Sequence, residues 1–184
     1  MRAPLRTWGA SRIGLAVVLT VLWIETTATD QITIPPFTHD LNGWCFVPTL
    51  TAIALAEPLI DRSPQLTELG VRSPLLLALA RLALVWTGGA AVVGYCWWSG
   101  DLGRWAAPYV LLFLAFATAV VAALSSWYWL PLLPLVFVWL QVSASGFPGP
   151  DFAIPRWQVA TAVAAAWLAY AVSIAVRDAA QRRQ

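Results

Sequence analysis

The stretch Pro74–Trp98, "PLLLALARLALVWTGGAAVVGYCWW", holds Arg81 as its single charged residue. A helix that crosses a bilayer needs about 20 mostly apolar residues, and this stretch is long enough. Ser73 can cap such a helix, and Pro74 suits its first turn, where the missing N–H of proline costs nothing. The stretch therefore predicts a transmembrane helix that begins at Pro74.

The composition of the whole chain points to the same solvent. Hydrophobic residues make up 60% of the 184 residues and charged residues 11%, whereas an ordinary soluble domain is about 25% charged. All eleven basic residues are arginines, which excludes a Walker A loop and a Schiff-base lysine enzyme. The net charge of +2 is too small, and the arginines too scattered, to predict nucleic-acid binding.

Five further apolar stretches flank the one quoted above. The long run near the middle of the chain is divided at "SSWYWLP", Ser125–Pro131, because an undivided helix would be about twice as long as the bilayer is thick. The six predicted spans cover about residues 11–29, 43–60, 74–98, 105–125, 128–146 and 155–176. The fold class predicted for residues 1–184 is thus a single all-α, polytopic transmembrane domain.

The distribution of arginine predicts the orientation. Most arginines fall before the first span, between the second and third spans, and after the sixth, so the positive-inside rule places both termini in the cytoplasm. The expected location is a bacterial cytoplasmic membrane. In an alternative interpretation, the first span is a signal peptide cleaved near Ala28, which would leave five spans.

The connector between the second and third spans has the signals of a short amphipathic helix. Ser63 can cap it, Pro64 can open it and Gly70 can end it. Leu66 and Leu69 share one face, and Glu68 and Arg72 add charge nearby. The helix predicted at residues 64–69 is either a connector resting on lipid headgroups or a docking element for a soluble partner.

This connector resembles the cytoplasmic segment between the second and third helices of ABC-2-type transporter permeases. In that family a Glu in a "TLELL"-like run precedes, by six residues, a Pro that opens the next helix. Thr67-Glu68-Leu69 and Pro74 match the spacing, Arg81 matches a basic residue of the following helix, and "SASGFPGPDFAIPRW" resembles an outer hairpin. Gly70 and Leu77 depart from the residues usual in the family, and the chain is short for it.

The resemblance implies the membrane subunit of an ABC exporter. Such a subunit docks a separate ATP-binding subunit through its coupling helix, here Pro64, Leu66, Glu68, Leu69 and Arg72. It works in the lipid bilayer as a homodimer or as a heterodimer with a sister permease. Two alternatives stay open. One is a non-transporting membrane protein, such as an immunity, anchoring or assembly subunit. The other is a transporter that works without ATP, for which more intramembrane carboxylates would be expected.

Two pairs of residues invite a structural role. Glu57 and Arg81 lie on adjacent antiparallel spans and are predicted to form an intramembrane ion pair, because charges inside a bilayer usually face protein or water. Cys45 and Cys96 both lie near the predicted outer face, where a disulfide is permitted. They form either that bridge or two buried free thiols.

Enzyme motifs are nearly absent from the sequence. His39 is the single histidine, which rules out an HExxH zinc site. The "SASG" stretch at Ser143–Gly146 and the "SGD" stretch at Ser99–Asp101 each lack the leading glycine of an intramembrane protease motif. No catalytic residue, metal site or cofactor is predicted.

Overall fold

The computed structural model describes residues 9–35, 40–60, 74–144 and 154–181, and these are almost entirely helical. A two-residue antiparallel ribbon, β1 (Gln31–Ile32) with β2 (Leu41–Asn42), joins the first helix to the second. The helices in chain order are α1 (Ala10–Thr27), α2 (Val47–Ala56), α3 (Pro74–Trp98), α4 (Asp101–Leu124), α5 (Trp129–Ala144) and α6 (Arg156–Gln181).

Four helices in the described part of the chain, α1, α3, α4 and α6, are long and apolar enough to cross a membrane. Two others are apolar but shorter: α5, and α2 together with the 3₁₀ turns Gly43–Phe46 and Glu57–Leu59 that extend it at either end. The predicted class of an all-α protein with membrane-spanning helices is therefore confirmed. The number of six crossings and the orientation of the termini stay predictions.

The predicted helix boundaries are close to the observed ones, and α3 has the predicted bounds. Helix α4 begins at Asp101 rather than near Trp105, because Gly100 ends the preceding turn with φ 107° and Asp101 brings a favourable negative charge to the first helical turn. The predicted division after α4 is also confirmed. Ser125 has φ 51° and opens a 3₁₀ turn that separates α4 from α5.

Helix α4 lies at the centre of the bundle and packs against α2, α3 and α6. Val110, Leu114 and Thr118 on α4 are completely buried. In contrast, α6 exposes Leu168 and Val176 on the face turned away from α4, as expected for a helix that borders lipid.

Two adjacent glycines of α3 allow three helices to approach it closely. A Cβ atom at Gly88 would lie 2.8 Å from Cγ2 of Ile13 in α1, and one at Gly89 would lie 2.5 Å from Cδ2 of Leu114 in α4. Leu55 of α2 contacts the same two positions. Small residues at such crossings let transmembrane helices gain van der Waals contact without steric conflict.

Aromatic side chains from other helices donate hydrogen bonds to the backbone at both ends of α2. At the Gly43 end, the indole nitrogens of Trp23 and Trp139 donate to the carbonyls of Gly43 (3.1 Å) and Cys45 (2.7 Å). At the other end, the hydroxyl of Tyr170 donates to the carbonyl of Leu59 (3.2 Å). These side-chain donors come from three other helices and hold the ends of α2 against α1, α5 and α6.

The substitution Tyr170→Phe removes one of these donors and keeps the aromatic ring. We expect it to lower the free energy of unfolding by about 1 kcal/mol, the usual size of a hydrogen bond between transmembrane elements. Equilibrium unfolding in mixed micelles would measure the change.

Tyr95→Phe is the matched control, since the Tyr95 hydroxyl has no hydrogen bond to the described residues. Equal stability losses for Tyr95→Phe and Tyr170→Phe would contradict the assignment of Tyr170 as a tether of α2.

Candidate functional site

The candidate site is the junction at the Glu57–Leu59 end of α2, where the chain enters the connector. The connector itself, residues 61–73, lies outside the described residues. The predicted helix 64–69 lies there, together with the proposed docking residues Pro64, Leu66, Glu68, Leu69 and Arg72. The structure therefore describes the end of α2 at which the connector begins.

An ion pair joins this junction to α1. Nη1 of Arg12 lies 3.0 Å from Oε1 of Glu57, and the two side chains are 53% and 35% exposed. The sequence predicted Arg81 as the partner of Glu57, and that pairing stays a prediction. Arg12 and Glu57 lie near the same predicted membrane face on adjacent antiparallel spans. Their shared depth in the membrane is the feature of the sequence from which this contact could have been predicted.

Two further contacts at this end of the bundle join α6 to its neighbours. Tyr170 holds the Leu59 carbonyl, and one guanidinium nitrogen of Arg177 donates to the carbonyl of Ala122 in the last turn of α4 (2.9 Å). A carbonyl in the last turn of a helix has no intrahelical partner, and a cation there also interacts favourably with the negative end of the helix dipole. The junction thus connects α2 to α1 directly and to α4 through α6.

The ion pair and hydrogen bonds at the junction connect helices to one another mechanically. The described residues contain no group of three or more His, Cys, Asp or Glu side chains that could hold a metal ion. His39, Gly146 and Asp151 lie outside the described residues. Glu25 is exposed near the other end of α1. What the junction can do is carry a displacement of the connector to several helices at once.

The disulfide considered for Cys45 and Cys96 is not formed, and both residues are buried free cysteines. Their surroundings differ. Cys96 packs in a cluster with Val92 of its own helix and Val110 of α4. Cys45 lies in the 3₁₀ turn before α2, with its carbonyl held by Trp139 of α5. Each thiol is a buried small apolar group, which was the second interpretation of the sequence.

Comparisons of the chain with protein family models, with curated proteins and with solved structures found no match. What characterises the junction is therefore its own geometry and the sequence pattern of the adjoining connector.

A double-mutant cycle would measure the ion pair at the junction. We expect Arg12→Gln and Glu57→Gln to be coupled by about 0.5–1 kcal/mol in unfolding free energy, because both side chains are more than a third exposed and the attraction is screened. A parallel cycle with Arg81→Gln and Glu57→Gln tests the pair predicted from the sequence. Strict additivity in the first cycle would contradict a functional ion pair between Arg12 and Glu57.

Maleimide labelling would test the state of the two cysteines. Because Cys45 and Cys96 are free and buried, the folded protein should react slowly, and the denatured protein should take up two labels without prior reduction. Denatured protein that accepts labels only after reduction would show a disulfide and overturn this assignment.

Proposed function

We propose that this chain is the membrane-spanning permease subunit of an ABC exporter in a bacterial cytoplasmic membrane. A separate ATP-binding subunit supplies the energy by docking on the connector at residues 61–73. The observation that carries the proposal is the position of that connector. It follows directly after a buried helix whose end is tied to α1 and α6.

The burial of α2 supports a role in transmitting movement. Val47, Thr51, Ala52 and Ala56 are completely buried, and α2 packs against α1, α3 and α4. Since packed interiors are dense and transmit strain, a push on the connector would displace the neighbouring helices together with α2. A surface helix attached only by its own backbone would instead absorb the push locally.

The proposed topology has six spans with both termini in the cytoplasm. In this topology α5 and the extended α2, Gly43–Leu59, also cross the membrane, although each is near or below the lower limit of about 17 residues. A short crossing is tolerated for α2, because neighbouring helices surround it and its terminal carbonyls receive hydrogen bonds from protein.

The resemblance of the connector to the coupling segment of ABC-2-type permeases supports the identity of the partner. Glu68, Pro74 and Arg81 carry that resemblance. The proposed complex contains two permease chains, either two copies of this one or this chain with a sister permease, and no cofactor bound to the permease itself.

Charge reversal in the connector tests this proposal. The tagged full chain is co-expressed with an ATP-binding cassette protein encoded beside it and purified by its tag. We expect Glu68→Arg combined with Arg72→Glu to weaken the complex about tenfold or more, because charged contacts at the centre of an interface contribute strongly to affinity. Retention of the ATP-binding subunit is the measurement.

Glu25→Arg is the matched control, since Glu25 is exposed at the opposite end of α1 and should leave retention unchanged. Full retention after both reversals would contradict docking at the connector. Labelling of a cysteine placed at residue 68 by an impermeant reagent in intact cells would also end the proposal, because it would put the connector outside. The non-transporting membrane protein would then be the better interpretation.

A further inference from the structure

A cavity of about 730 Å³ lies between α3, α4 and α6, at the end of the bundle where α4 and α6 begin. Its walls are mainly apolar and include Trp86, Val93, Trp105, Leu111, Val159 and Val163. The volume lies within the range of about 300–1,000 Å³ that is typical of small-molecule sites. The cavity is separate from the junction at Glu57, which lies at the opposite end of the helix bundle.

Two of the lining residues, Trp86 and Trp105, contribute indole rings to the cavity wall. The indole nitrogens of Trp86 and Trp105 are buried and make no hydrogen bond within the part of the chain that the structure describes. Trp86 as a whole is 9% exposed. The two nitrogens are not accessible from the cavity, so the cavity offers a ligand mainly apolar ring and aliphatic surface.

The mouth of the cavity carries positive charge. Arg104 and Asp101 form a pair at 3.4 Å, both exposed, which leaves Arg156 without an ionic partner among the described residues. Arg156 is also the first residue of α6, and no acidic residue occupies the first turn of that helix. A cation at a helix N-terminus opposes the helix dipole, so helix stability does not account for this arginine.

The backbone at the start of α6 adds to this charge. The amides of Gln158 and Val159 donate to the carbonyl of Pro155, whereas the amides of Arg156 and Trp157 have no such partner among the described residues. Free amides at a helix N-terminus together with a guanidinium form an arrangement that favours an anion, and a phosphate suits both groups.

From these observations we propose that the cavity binds one anionic phospholipid of the surrounding bilayer. The phosphate lies at Arg156 and the first turn of α6. One acyl chain lies in the cavity against Val93, Leu111 and Val163. A phospholipid joins an anion to an apolar chain, as the charged mouth and the apolar lining of the cavity require. The proposal does not depend on ATP-driven transport.

Competitive lipid retention tests the site. The purified full chain is incubated in micelles with equal amounts of phosphatidylglycerol and phosphatidylcholine and then washed, and the bound lipid is counted by native mass spectrometry. We expect about one phosphatidylglycerol per chain, retained about tenfold better than phosphatidylcholine. Arg156→Gln should remove about this tenfold preference, the effect of losing one charge-assisted contact.

Two matched pairs of variants separate the site from general effects. Arg156→Gln is paired with Arg177→Gln, which removes the same charge from the opposite end of α6. Ala160→Phe, which fills the cavity from an exposed lining position, is paired with Ala165→Phe, an exposed alanine of the same helix outside the cavity lining. We expect lipid loss only from Arg156→Gln and Ala160→Phe, with thermal unfolding in the same micelles confirming that all four variants fold.

Three outcomes would overturn the proposal. Equal retention of the two lipids by the unaltered chain would show that the site does not select an anionic headgroup. Displacement of phosphatidylglycerol by inorganic phosphate alone would show a free-anion site. A change in oligomeric state without lipid loss in Ala160→Phe would show that a helix of another chain fills the cavity. None of these results bears on retention of the ATP-binding subunit, so the two proposals fail separately.

Discussion

The fold depends on a requirement of the bilayer, that backbone carbonyls be satisfied within the protein. Helix α2 is short and is extended at both ends by 3₁₀ turns, which contain Gly43, Cys45 and Leu59. Trp23, Trp139 and Tyr170 donate to the carbonyls of these three residues from three other helices. Because the donors are far from α2 in the chain, satisfying its ends fixes the positions of α1, α5 and α6 around it.

The same requirement is met locally in the helix interiors. Thr20, Thr51 and Thr118 are buried, and each hydroxyl donates to the carbonyl four residues earlier in its own helix. Because these hydroxyls are hydrogen-bonded within their own helices, they need no partner across the helix interfaces, and packing there is governed by shape. The glycine pair of α3 shows the result, since α1, α2 and α4 all approach that helix at nearly the same level.

The two ends of the bundle differ in how polar groups are paired. At the Glu57 end, Arg12, Tyr170 and Arg177 all have partners on other helices, which makes that end suited to transmitting force. At the end where α6 begins, Arg156 has no ionic partner among the described residues and lies at the mouth of an apolar cavity, which makes that end suited to binding an external molecule.

The sequence by itself determined the helical class, the membrane setting and most helix boundaries. These follow from local properties: the length of apolar runs, proline at helix starts, and Gly100 and Ser125 at helix ends. It also indicated that Glu57 needs a cationic partner. Only the tertiary structure gave the contact between Glu57 and Arg12, the burial of Cys45 and Cys96 as free thiols, and the cavity beside Trp86. The reason is physical. Apolar periodicity indicates that a residue faces protein. The depth of each helix in the bundle and its rotation about its own axis come from side-chain packing between segments distant in the chain.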